Sequence, residues 1–123
     1  MRRILIIDDE DDIREVAALS LESVAGWQLY TASSGAEGMR VAAAELPDAI
    51  LMDVMMPAMD GPTTFREMQK MPNLTGIPVI LLTAKVQGVD QRRFAGLGVA
   101  AVLFKPFDPL TLAEQMSAAL GWS

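Results

Sequence analysis

The chain has 123 residues, of which 51% are apolar and 21% charged, a size and composition typical of a single globular domain. Its net charge of −6 has the wrong sign for a nucleic-acid or membrane surface. Because cysteine and histidine are absent, disulfides, Cys/His zinc sites and catalysis by either residue are excluded.

Short apolar runs and segments of helical spacing alternate along the chain. Continuous apolar runs of this kind are typical of strands that are buried on both faces of a sheet. The runs predict five strands, over residues 4–7, 29–32, 49–52, 79–82 and 100–104.

Helix signals occupy the intervals between these runs. Asp11 or Asp12 is the predicted N-cap of the first helix, which ends before Gly26. Ser34 and Glu37 have the spacing of a capping box that opens the second helix. Apolar spacing predicts further helices around 65–71, over 87–94, and over 109–120 with Asp108 as its cap.

Five β-α units with short connections predict one α/β domain over residues 1–123. This alternation is that of a parallel sheet with right-handed crossovers and helices on both faces, a doubly wound fold. In such sheets the groups that do chemistry collect at the carboxyl ends of the strands. The residues directly after each apolar run are therefore the candidates for a functional site.

Candidate site residues follow four of the five runs, whereas the second run ends in Thr-Ala-Ser at 31–33, with no ionisable group. Asp8 and Asp9 follow the first run, Asp53 the third, Thr83 the fourth and Lys105 the fifth. Each has an ordinary explanation when it is taken alone, such as helix capping for the adjacent aspartates or a solvated loop for Lys105. Their joint placement at one edge of the sheet favours a shared site.

Three carboxylates gathered at one edge require a cation. Two carboxylates at 4 Å repel each other by about 4 kcal/mol at an effective dielectric of 20. Lys105 supplies one positive charge, and an all-oxygen site without histidine suits Mg²⁺. Metal, ammonium and hydroxyl together can receive a phosphoryl group, with Asp53 as the candidate nucleophile because carboxylates can form aspartyl-phosphates.

These motifs resemble those of response-regulator receiver domains, the CheY-like family of two-component signalling. The resemblance extends from residue 4 to about 120. It implies a flavodoxin-like fold with strand order 2-1-3-4-5, and a signalling switch that catalyses only its own transient phosphorylation and dephosphorylation. The matching motifs are Ile-Ile-Asp-Asp-Glu at 6–10, Asp-Val-Met-Met-Pro-Ala-Met-Asp-Gly at 53–61, Thr-Ala at 83–84 and Lys-Pro-Phe at 105–107.

The resemblance also implies a role for each matching residue. Asp53 would accept the phosphoryl group, Lys105 would neutralise it and Thr83 would hydrogen-bond to it. The implied Mg²⁺ ligands are Asp53, Asp9 directly, Asp8 through the water shell of the ion, and the backbone carbonyl of Met55.

Two backbone features are implied as well. The Lys105–Pro106 bond is a candidate for the cis form, against a background of roughly 5–6% for bonds to proline. Gly61, which follows Asp60, fits a tight turn that needs a positive φ.

Position 102 departs from the family pattern. Receivers commonly carry Tyr or Phe there, whose ring moves inward with the site hydroxyl of Thr83 after phosphorylation, whereas this chain has Val102. The signal is then either read from the backbone and the predicted helix over 87–94, or muted. Phe104 is expected on the opposite face of its strand, in the core.

The partners follow from composition and from the resemblance. Without histidine the chain cannot be its own phosphohistidine donor, so the donor is a histidine kinase, a histidine phosphotransfer protein or a small phospho-compound. The first helix is implied to dock the kinase near Ile13, Arg14 and Ala17.

Residues 109–120 carry no Lys or Arg, which disfavours dimers held by charged pairs. We expect a cytoplasmic monomer that passes its signal to a downstream protein, without direct nucleic-acid or membrane contact.

Other functions compete with this one. The chain is expected to be a stand-alone receiver, the alternative being an N-terminal receiver cut from a longer regulator. A degenerate receiver would act as an unphosphorylated docking module, although all five expected site positions are filled. A dehalogenase-like phosphatase would carry a second aspartate where Met55 stands. A dinucleotide-binding module would use Gly96, Gly98 and Ala101, but this stretch leads into the fifth predicted strand instead of following a strand.

Overall fold

The computed structural model describes residues 1–84, 94 and 96–122. They contain one parallel sheet with the order β2-β1-β3-β4-β5, which confirms the predicted fold class. Each strand lies within one residue of its predicted run. The strands are β1 (Arg3–Ile7), β2 (Gln28–Ala32), β3 (Ala49–Asp53), β4 (Val79–Thr83) and β5 (Ala101–Phe104).

Helices connect the strands and cover the sheet. The helix predicted over 87–94 lies, apart from Phe94, outside the described residues. Within the described part of the chain, no helix has both the length and the apolar character needed to cross a membrane. The helices that are described are α1 (Asp11–Ala25), α2 (Gly35–Glu45), α3 (Gly61–Gln69) and α4 (Leu112–Leu120).

The sheet has an apolar core on each face. On one face Ile7 belongs to the same buried cluster as Phe65 of α3. On the other face Ile6 shares a cluster with Leu21 of α1 and Met116 of α4. Because successive strand residues point to opposite faces and both faces are covered, the strands have continuous apolar sequences.

Helix beginnings were predicted with mixed success. The Ser34 hydroxyl accepts a hydrogen bond from the Glu37 N–H at 3.1 Å, which confirms the cap of α2. The prediction for α1 was wrong by one or two residues, because the helix begins at Asp11 and Glu10 occupies the N-cap position.

The last helix begins later than its sequence suggests. It begins at Leu112, whereas the prediction placed its start at residue 109. The Asp108 carboxylate accepts a hydrogen bond from the Leu110 N–H at 2.9 Å, so it closes a turn ahead of the helix instead of capping it.

Phe104 was assigned wrongly from sequence. Val102 packs against the core on the α3 side, and Phe104, two residues later, lies on the same face of β5. The Phe104 side chain is 48% exposed, so it is not a core residue. It is the last residue of an edge strand, where burial on both faces is no longer enforced.

Candidate functional site

The predicted site residues meet at the carboxyl edge of the sheet. Asp8 comes directly after β1, Asp53 ends β3, Thr83 ends β4, and Lys105 comes directly after β5. The ladder continues through the last pair, since the Lys105 N–H donates to the Thr83 carbonyl at 2.8 Å. Asp8, Asp53 and Thr83 are all buried, with 1%, 3% and 3% of their surface exposed.

One ammonium group faces three carboxylates. The Lys105 Nζ atom lies 3.1 Å from Asp8 Oδ2, 3.3 Å from Asp53 Oδ1 and 3.4 Å from Glu10 Oε1. Of these side chains only Glu10 is well exposed, at 62%. The predicted convergence of Asp8, Asp53 and Lys105 is therefore present in the structure, and the four charged groups carry an excess of negative charge.

The site electrostatics raise the pKa of the Asp53 carboxyl group from its ordinary value of 3.8 to about 6. Burial is the main cause, and the neighbouring Asp8 adds to it, while Lys105 opposes the rise only in part. For Lys105 itself burial acts to lower the pKa, but the contacts with Asp8 and Asp53 outweigh burial and raise it.

Two buried carboxylate oxygens in the site have no hydrogen-bond donor. Asp53 Oδ2 has none, and Asp8 Oδ2 has only its ion pair with Lys105. Buried polar atoms are rarely left without partners, so these oxygens can accept a positively charged ligand. Oxygens of Asp8, Glu10 and Asp53 all lie within 4.8 Å of one another, a donor set that fits a hard divalent cation such as Mg²⁺.

Asp9 and Met55, the other predicted ligands, are not part of this group of oxygens. Asp9 is exposed at the start of the loop between β1 and α1. The Met55 side chain is 74% exposed, and a backbone hydrogen bond from this residue acts to lower the pKa of Asp53. Direct ligation by Asp9 and by the Met55 carbonyl remains a prediction.

Glu10 is the site residue that the sequence analysis did not assign. It stands in the sequence as the last residue of the Ile-Ile-Asp-Asp-Glu motif, and an acid just before a helix is ordinarily explained by the helix dipole. The available signal was its position two residues after Asp8, on the loop that leaves the site edge of the sheet.

Two neighbouring backbone features were predicted with different outcomes. The Lys105–Pro106 bond is cis, as expected. Gly61 does not have a positive φ, so that prediction was wrong. A Cβ atom at Gly61 would lie 2.5 Å from the Asp53 carbonyl oxygen, and the glycine is needed because α3 begins against the backbone of the phosphoacceptor candidate.

The proposed kinase-docking face of α1 also needs correction. Ala17 is completely buried and cannot contact a partner protein. Ile13 is half-buried, and the Arg14 side chain is 17% exposed and engaged within the chain. The large apolar residues of this helix that are exposed are instead Val16, Leu19 and Val24.

Known proteins are similar to this chain in sequence and in architecture. A family profile described as the response regulator receiver domain matches residues 4–117. Protein PilH of Pseudomonas aeruginosa is 36% identical over 120 residues, which cover 98% of each chain. The alkaline phosphatase synthesis transcriptional regulatory protein PhoP of Bacillus subtilis is 33% identical over 97% of this chain and 48% of that protein. This chain spans about half the length of several such transcriptional regulators.

A solved structure agrees with the fold. Chemotaxis protein CheY4 of Vibrio cholerae superposes with a TM-score of 0.90 at 28% identity, over 97% of this chain and 98% of that one.

Proposed function

Because the chain belongs to the receiver domains of response regulators, the switch modules of two-component signalling, we propose that Asp53 is its phosphoacceptor. The donor is a histidine kinase or a histidine phosphotransfer protein, since the chain contains no histidine of its own. The phosphorylated form then binds a downstream protein with a different affinity. The observation that carries this proposal is the buried Asp53 carboxylate held 3.3 Å from Lys105 Nζ.

The acidic residues of the site are the proposed ligands of the Mg²⁺ ion that phosphoryl transfer requires. Asp8 and Asp53 would hold Mg²⁺, with Asp9 and the Met55 carbonyl as the remaining proposed protein ligands. Bound Mg²⁺ supplies positive charge that offsets the carboxylates and the incoming phosphoryl oxygens. Two buried oxygens support this assignment, Asp53 Oδ2, which has no donor, and Asp8 Oδ2, which has only its ion pair with Lys105.

The residues of the chain itself perform the transfer. A carboxylate oxygen of Asp53 forms the new bond to phosphorus, while the bond from phosphorus to the donor nitrogen breaks and the imidazole leaves with its electron pair. Lys105, which is already beside Asp53, neutralises the charge of the transferred group. Burial of Asp53 strengthens each of these electrostatic interactions.

Thr83 is proposed to convert phosphorylation into a change of surface. Its side chain is buried at the end of β4, and its carbonyl accepts a hydrogen bond from the Lys105 N–H. A hydrogen bond from a hydroxyl to a charged group contributes about 1.5–3 kcal/mol, enough to shift a two-state population substantially. Val102 stands at the position of the usual aromatic ring, so the signal is either read from the backbone and the predicted helix over 87–94, which apart from Phe94 lies outside the described residues, or muted.

The proposal is tested by intact mass spectrometry after incubation with acetyl phosphate or phosphoramidate and Mg²⁺. We expect a base-labile adduct of roughly 80 Da in the wild type and none in Asp53→Ala. Asp12→Asn is the matched control, because it removes an acid from the first turn of α1 without touching the cluster. Failure of every donor to form the adduct would favour an unphosphorylated docking module, whereas sustained turnover of unrelated phosphomonoesters would favour a phosphatase.

A further inference from the structure

Arg14 connects α1 to the end of β1 at the site. Its Nη1 atom donates to the Asp8 carbonyl at 2.7 Å, and its Nη2 atom pairs with the Asp11 carboxylate. The side chain is 17% exposed although it carries a full charge. A planar guanidinium can hold two acceptors at once in a fixed geometry, which a lysine ammonium cannot reproduce.

These contacts fix the short loop that carries the acids. The Asp8 N–H donates to the Ala32 carbonyl at 3.1 Å, so Arg14 and β2 hold the backbone of Asp8 from both sides. Within the loop, the Glu10 N–H donates to Asp8 Oδ1 at 2.9 Å. This bond occupies one carboxylate oxygen of Asp8, and the other oxygen is directed at Lys105.

The geometry points to Arg14 as a positioning residue of the divalent-cation site. It touches neither the cation position nor the phosphoacceptor, but it holds the loop from Asp8 to Asp11 in the conformation that presents the carboxylates. This inference rests on the proposed function, because it concerns the cation that phosphoryl transfer would require. Residues that orient metal ligands commonly change metal affinity by about 10–100-fold when they are replaced.

Electrostatics and positioning predict opposite effects for Arg14. A positive charge near the site repels a cation, so its removal strengthens Mg²⁺ binding if charge is all that matters. Loss of the loop contacts weakens Mg²⁺ binding instead. Arg14→Lys tests the positioning effect by itself, because it keeps the positive charge and loses the double contact.

The experiment measures the Mg²⁺ dissociation constant by isothermal titration calorimetry for the wild type, Arg14→Gln and Arg14→Lys. We expect both variants to bind Mg²⁺ about tenfold more weakly. Arg40→Gln, which removes an exposed arginine of α2, is the matched control and should stay within about twofold of the wild type. Unchanged or tighter binding by the two Arg14 variants overturns the inference.

A second readout uses the metal-free protein. We expect hydrogen exchange of the Glu10 amide to be about tenfold faster in Arg14→Lys, while core amides of β1 and β3 keep their protection. Equal exchange at Glu10 in wild type and variant would refute the positioning role. A wild type that binds no Mg²⁺ would instead contradict the proposed function, and the exchange result would still decide the role of Arg14.

Discussion

Polar groups are paired differently at the two ends of the sheet. At the carboxyl end, three carboxylates share one ammonium group and Asp53 Oδ2 is buried without a donor. At the amino end, the Arg3 guanidinium donates to the Tyr30 hydroxyl at 3.0 Å and to Glu45 at 3.2 Å. The Arg3 N–H is also satisfied, by the Asp48 carboxylate at 2.7 Å.

Aromatic contacts reinforce the amino end. The rings of Trp27 and Trp122 meet edge to face with their centroids 5.4 Å apart, and the Arg2 guanidinium lies 4.2 Å from the centroid of Trp122. These contacts join the segments at both termini of the chain to the loop before β2. One end of the sheet is thus arranged for stability, whereas the other keeps an excess of negative charge that a bound cation would offset.

The largest expected effect on stability comes from removing the shared ammonium group. Lys105→Met keeps the aliphatic stem but leaves Asp8 and Asp53 buried without a counter-charge, which should lower the free energy of unfolding by about 3 kcal/mol at pH 8. Urea denaturation in metal-free buffer measures this loss. Lys70→Met is the control, because its exposed pair with Glu67 should contribute less than about 0.5 kcal/mol. Similar losses in the two variants would remove the contrast between buried and surface charge.

The pKa of Asp53 predicts that the free energy of unfolding depends on pH, by an amount similar to the loss expected for Lys105→Met. Because its pKa is about 6 in the folded protein and 3.8 when unperturbed, the folded state binds more protons between these values, and stability falls as pH rises from about 4 to about 6. At about 1.4 kcal/mol for each pH unit, the loss approaches 3 kcal/mol.

Asp53→Asn isolates this titration. The difference in unfolding free energy between wild type and variant, measured by urea denaturation without metal from pH 4 to 8, should favour the variant increasingly up to about pH 6 and then level off. Saturating Mg²⁺ should reduce the difference, since the cation binds only the folded wild-type site. A difference that does not vary with pH would show that Asp53 ionises normally.

The sequence was sufficient for the fold and for most of the site, for identifiable reasons. Burial on both faces makes each strand a continuous apolar run, and parallel topology then brings Asp8, Asp53, Thr83 and Lys105 to one edge without further information. Glu10 was missed because its partner Lys105 is 95 residues away, while a local explanation for the acid was at hand.

The errors have the same physical origin. Gly61 was correctly marked as a required glycine, but the reason is the close approach of α3 to the Asp53 backbone, which depends on tertiary packing. Phe104 was predicted in the core because it was assigned to the face of the strand opposite Val102, although the two residues share a face and the exposure of Phe104 is set by its position at the end of an edge strand.

At the amino end, we expect replacement of an aromatic residue to affect stability alone. Trp122→Leu removes the edge-to-face contact and the cation–π contact, and should lower the free energy of unfolding by about 1–2 kcal/mol. Trp122→Phe, which retains a ring, should recover part of the loss. Formation of the phosphoryl adduct, measured by intact mass, should be unchanged in both variants. A slower reaction would mean that the two ends are coupled.

The smallest expected effect lies within the site itself. Glu10 contacts the same ammonium as Asp8 and Asp53, but its side chain is 62% exposed. Because solvent screens such a pair, Glu10→Gln should change the free energy of unfolding by less than about 0.5 kcal/mol, in contrast to the loss expected for Lys105→Met. Urea denaturation of Glu10→Gln measures this change in the free energy of unfolding. Asp12→Asn is the control, because it removes an acid without a contact to Lys105. If Glu10→Gln cost much more than Asp12→Asn, desolvation would extend to the exposed mouth of the site.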